Sequence, residues 1–130
     1  MATGNNARDY GVQLVHYLRK TITFEDTSAT LVGELPAGAL ILQPASGAHV
    51  VTAFNDGTTD VVDIGIEGTA DQFASALDVS STGFKALDAD GANMRVSAAT
   101  KVYAVYTGGT GDATAGEAEI AIAYLPDNDG

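Results

Sequence analysis

Asp88, Asp90 and Asn93 bring three oxygen donors into one short stretch, DADGAN, the kind of set that a hard cation such as calcium takes. An EF-hand loop would add further ligands and a distal glutamate at fixed spacing. Those are absent, so the stretch reads first as an Asp-Gly turn and second as a weak calcium candidate; no cofactor is expected. Of the 2 histidines, neither His16 nor His49 has a second ligand at a metal-binding spacing, and His16 reads as a partly buried packing residue. The glycine-rich run GGTGDATAG over 108–116 has the composition of a phosphate cradle. It follows neither the P-loop nor the dinucleotide spacing and leads into a strand rather than a helix. It is therefore expected to be a flexible projecting loop, available for contacts.

Nucleophilic or general acid-base catalysis needs a nucleophile with an oriented base, or carboxylates paired in a cleft. Serines and aspartates are plentiful, but no such signature is present, and the chain is read as non-enzymatic. A formal charge of −11, from 17 carboxylates against 6 basic residues, disfavours nucleic acid and anionic membrane as partners. The absence of cysteine removes disulfides and thiolate zinc sites. The longest strongly apolar run, 37–42, is far short of the ~20 residues that span a bilayer, and the first residues lack the apolar core of a secretory signal. A soluble protein made in the cytoplasm is expected. Sugar platforms stack on exposed aromatics, best on tryptophan. Here there is no tryptophan, and Tyr17, Tyr103, Tyr106 and Tyr124 lie within strand patterns, but a carbohydrate-binding module stays open as the alternative.

The elements that position these residues are strands. The chain is organised around 34–68, where three apolar runs, 39–42, 48–54 and 61–66, are separated by Pro44, Ser46-Gly47 and Asn55-Asp56-Gly57 and predict a β meander. Upstream, 13–24 alternates with Leu18, Ile22 and Phe24 on one face, and 29–35 predicts a strand carrying Leu31 and Leu35 on one face. Thr69-Ala70-Asp71-Gln72 has the form of a capping box, and Phe73 and Leu77 fall at i, i+4, which predicts one short helix near 70–77. The segments 83–87 and 93–96 predict a hairpin across the Asp-Gly turn. Finally, 100–107 and 117–125 are period-two strands, with Ile120, Ile122 and Tyr124 inward and Glu117 and Glu119 outward. Eight or nine strands with one short helix predict an all-β chain: a two-sheet antiparallel sandwich of jelly-roll type. The expected organisation is a flexible N-terminal arm over 1–12, a single domain over 13–126 and an acidic tail over 127–130.

Within this pattern, Leu35-Pro36-Ala37-Gly38-Ala39, the run from His49 to Asn55, Asp63-Ile64-Gly65, and Ala115 to Ile120 ahead of a Tyr-Leu-Pro end resemble small head-associated virion proteins of tailed bacteriophages, the capsid decoration or cement class. The resemblance implies a structural role on the capsid exterior. The partners it implies are the major capsid protein and further copies of the chain in a homotrimer; the alternative within the virion is a tail or head-fibre component. Arg8 and Tyr10 in the arm are the expected contact residues, because Arg and Tyr are enriched where interfaces gain most energy.

Overall fold

The structure, a computed structural model, describes residues 15–88 and 94–126. Nine strands run in order: β1 (His16–Thr23), β2 (Thr30–Leu35), β3 (Leu40–Ile41), β4 (Gly47–Thr52), β5 (Asp60–Ile66), β6 (Thr69–Asp78), β7 (Gly83–Ala86), β8 (Thr100–Gly108) and β9 (Glu117–Leu125). A 3-10 turn over Gln43–Ala45, with Pro44 in its first positions, separates β3 from β4.

The pairing is symmetric about one turn. Ile66 pairs with Thr69 across Glu67-Gly68, where Gly68 adopts φ 85°, a conformation that glycine reaches without a Cβ clash. Outward from that tip, β5 pairs with β6, β4 with β7, β2 with β8 and β1 with β9, all antiparallel. One long hairpin is thus rolled up, and lateral pairing of β4 with β9 and β5 with β8 closes it into two sheets. Their orders are β1-β9-β4-β7, with β3 joined to β9, and β2-β8-β5-β6. This is the jelly-roll arrangement that the strand count predicts.

The core lies between the sheets. Ala48, Val50, Ile120 and Ile122 of the first sheet face Val62, Ile64, Val102 and Ala104 of the second, all at 0–1 % exposure. Alternation does this: in β5 the apolar Val62 and Ile64 point inward while Asp63 points out, so slipping the register by one residue would exchange core for surface.

Several sequence expectations are corrected. The three runs of 34–68 form no meander, because β3 and β4 belong to one sheet and β5 to the other. The 70–77 stretch is strand β6, not a helix. Here the i, i+4 spacing of Phe73 and Leu77 reflects an inward strand face interrupted by a bulge. Ala76 sits at φ 57°, and the Ser75 and Ala76 amides donate to Asp88 Oδ1 (3.0 Å) and Asp63 Oδ1 (2.7 Å), so carboxylates replace the ladder partners that the bulge loses. Leu31 and Leu35 do not share a face: a register shift between Leu31 and Gly33 leaves Leu31 46 % exposed and Leu35 buried. The segment after 93 does not pair with β7; the amides of Gly38 and Ile41 instead donate to the carbonyls of Val96 and Met94. His16 is exposed rather than partly buried, with its ring tilted 5.7 Å from that of Tyr124.

Tight backbone approach at one glycine sets the β4–β7 pair. A Cβ on Gly47, at φ 151°, would lie 2.0 Å from the Lys85 carbonyl oxygen, whereas one on Gly68 meets nothing within 4 Å. In urea unfolding, Gly68→Ala is expected to cost only the left-handed backbone penalty of about 1 kcal/mol, and Gly47→Ala at least ~3 kcal/mol because strand and conformation must both yield.

Candidate functional site

The residues most densely organised by hydrogen bonds lie at one end of the sandwich, where the β4–β5 connection meets the β8–β9 loop. Asn55 and Asp56 come from the first, Asp60 from the start of β5, Tyr106 from near the end of β8, and the 108–116 run is the second. Such a loop carries many backbone N–H groups and no repeating structure to satisfy them. Side chains opposite supply the acceptors.

Asp56 is the centre. Its Oδ1 accepts from the Thr110 amide (2.9 Å), the Thr110 hydroxyl (3.1 Å) and the Thr58 hydroxyl (3.0 Å), and its Oδ2 accepts from the amides of Gly111 (2.8 Å) and Asp112 (3.1 Å). The side chain is buried at 7 % exposure. Hydrogen bonding from the Thr110 amide above all, then from the hydroxyls and the Asp112 amide, outweighs burial and holds the carboxyl well below the usual carboxylate range. Next to it, Asn55 Oδ1 accepts from the amides of Thr114 (2.8 Å) and Ala115 (3.0 Å), and Asn55 Nδ2 donates to the Thr114 hydroxyl (2.9 Å). Beneath both, Asp60 Oδ1 accepts from the Asp56 amide (3.0 Å) and from the Tyr106 hydroxyl (2.6 Å). Burial, reinforced by the bond to Asp60 and by the charges of Asp60 and Asp56, pushes the Tyr106 hydroxyl above its ordinary value. The Tyr106 ring packs on Phe54 at 4.6 Å between centroids, which joins the polar network to the core.

This corrects the expectation of a flexible loop. The 108–116 run projects, with Gly109 to Asp112 exposed, but two side chains hold it at five of its backbone amides. Asn55-Asp56-Gly57, expected only as a reversal, supplies both of these side chains. The available signal was the coincidence of two adjacent Asx residues, which accept from backbone N–H groups, with a Gly/Thr-rich loop in need of acceptors.

A cleft of about 640 Å³ adjoins the clasp, with Phe24, Glu25, Tyr106 and Gly111 among its walls. The arrangement is unsuited to acid-base work: Asp56 has both oxygens committed to donors, and the Tyr106 hydroxyl is held in its neutral form. Among the described residues no group of three or more His, Asp or Glu side chains is placed to hold a metal ion. Of the calcium candidate, Asp88 is occupied with the Ser75 amide, while Asp90 and Asn93 lie outside the described residues. So do Arg8 and Tyr10 of the arm. Among the described residues the tyrosines form no stacking platform: Tyr106 and Tyr124 are buried, and Tyr17 and Tyr103 stand on the outer faces of different sheets.

No protein-family model matches this chain, and no curated protein does. Among solved structures, a chain of the cyanophage Pam1 capsid asymmetric unit has the same fold, with a TM-score of 0.64 at 16 % identity over 88 % of this chain and 86 % of that one. The near-equal coverage makes the likeness one of whole domain to whole domain, between chains of similar length.

Because the Asp56 carboxyl is depressed in the folded state, its contribution is fully present above its unfolded value of 3.8 and is lost as pH falls below that. Asp56→Ala is expected to remove this acid-sensitive component and to speed hydrogen exchange at the Thr110, Gly111 and Asp112 amides by on the order of tenfold, with core amides unchanged. Tyr106→Phe, which leaves a buried carboxylate short of a donor, is expected to cost about 1–3 kcal/mol in urea unfolding.

Proposed function

We propose that this chain is a non-enzymatic structural protein of a phage virion, which binds the outer surface of the capsid as a homotrimer and braces the shell. The observation that carries this reading is the whole-domain likeness to a chain of a phage capsid.

The physical features agree. A decoration protein performs no chemistry, and the polar network of this domain spends its carboxylates on holding backbone in place. Contact elements gain affinity when they are ordered before they bind, and the 108–116 loop is pinned in that way. A net charge of −11 keeps the free protein soluble and steers it toward positively charged surface. A cyclic trimer matches the local symmetry of an icosahedral lattice. The sugar-binding alternative has no cluster of exposed tyrosines among the described residues to support it.

Arg8 and Tyr10 are proposed as anchors of the arm on a neighbouring shell subunit. Deleting residues 1–11 is expected to leave the thermal transition in place while weakening cosedimentation with capsid shells of the encoding phage; undiminished attachment would remove the arm from the mechanism. Light scattering is expected to give three times 13.2 kDa, unchanged by a chelator. A monomeric mass in solution and on the shell would overturn the trimer.

A further inference from the structure

The outer faces of the two sheets differ. On the β1-β9-β4-β7 sheet, Arg19 is ion-paired with Glu119, and with exposed Thr21 these set Tyr17 apart from Val51 and Phe84, which lie beside exposed His49. Small apolar groups broken up in this way by polar residues on a wet face need no partner. On the β2-β8-β5-β6 sheet, they are contiguous. Leu31 and Gly65 flank Tyr103 in register, and Val105 follows on the same face of β8. A groove of about 310 Å³ runs here, lined by Ala29, Tyr103, Val105 and Ala70 with Glu67 at its rim.

Two details shape this face. Gly65 is bare because the start of β6 crosses over it: a Cβ there would lie 2.3 Å from the Thr69 carbonyl oxygen. The crossing gives the groove a wall without filling it. Tyr103 is half-buried in the band, and its hydroxyl makes no hydrogen bond among the described residues. A tyrosine so placed offers a flat apolar body and an unspent polar tip, the combination that anchors interfaces.

Charge selects the occupant. Glu67 is the charged residue lining the groove, Asp63 stands opposite Val105 on the same face, and Lys101 is set beyond the band against Glu34. A second copy of a chain with net charge −11 would bring like charge to this rim, whereas a basic partner is attracted to it. We propose that the outer face of the β2-β8-β5-β6 sheet is the surface by which the domain seats on the capsid, taking from the shell protein an aliphatic or aromatic side chain into the Tyr103 groove with a lysine or arginine beside it at Glu67. This rests on the virion reading and specifies which face that reading uses.

The test is hydroxyl-radical footprinting of the full chain, free and bound to capsid shells of the encoding phage, with bound protein separated by sedimentation. Leu31 and Tyr103 are expected to become protected on the shell while Val51 and Phe84 stay reactive. Leu31→Lys is expected to lower occupancy by about tenfold or more. Glu67→Lys is expected to lower it several-fold at about 50 mM salt, with the difference shrinking at about 0.5 M. Val51→Lys, with equal thermal stability, is the control that leaves occupancy unchanged. Bound protein whose Leu31 and Tyr103 remain fully reactive overturns the inference and leaves the virion role standing. Protection of the same residues in free protein, relieved by Leu31→Lys with a fall in mass, gives the face to a second copy and also overturns it. Failure of wild-type protein to cosediment at all overturns the virion role, and this inference with it.

Discussion

Every strand partnership depends on the chain reversing at Glu67-Gly68. Once Ile66 meets Thr69, residues at increasing distance on either side of the turn come opposite one another, out to His16 against Tyr124. A single long hairpin cannot bury two faces while flat. Rolling it so that β4 meets β9 and β5 meets β8 puts the inward residues of both limbs against each other, and the apolar alternation in each strand leaves one roll that buries Ile64 and Ile120 together. The cost is contact order, since the outermost pairs join the two ends of the described chain and must form late or slowly.

The roll leaves its long connections at the ends, and there the fold depends on side chains acting as backbone partners. Asp56 and Asn55 do for the 108–116 loop what a neighbouring strand does for β8. Asp63 and Asp88 do the same for the bulge in β6. Several of the acids that give the chain its charge are thus structural acceptors. The negative charge is partly a by-product of building ordered loops from glycine, alanine and threonine.

How legible this was in the sequence follows from which interactions are local. The all-β class, the two-sheet sandwich and the strands β8 and β9 were readable because period-two alternation is written into consecutive residues. The partners of each strand were not. Adjacency in sequence suggested a meander over 34–68, while the real partners lie in the other limb of the hairpin. At 70–77, Phe73 and Leu77 satisfy a helical and an inward-strand pattern equally, and the bulge that resolves them is set by Asp63 of β5 and by Asp88, which follows β7. Within the site, Asn55-Asp56-Gly57 was visible as a turn, but the acceptor role of the carboxylate depends on a loop more than fifty residues away in the chain. The groove beside Tyr103 was hidden for the same reason, since it needs Ala29, Glu67 and Tyr103, far apart in the chain, brought to one face.

The pairing of His16 with Tyr124 and of Thr23 with Glu117 gives the domain two poles. The chain enters β1 and leaves β9 at one, and the Asp56-held loop stands at the other, roughly 25 Å away at ~3.4 Å per residue. Anything attached ahead of β1 or behind β9 departs from the pole that the loop does not occupy. The two exits of the chain and the Asp56-held loop thus take opposite ends of the sandwich, and a pull between them runs along the strands, the direction in which hydrogen-bonded ladders resist in shear.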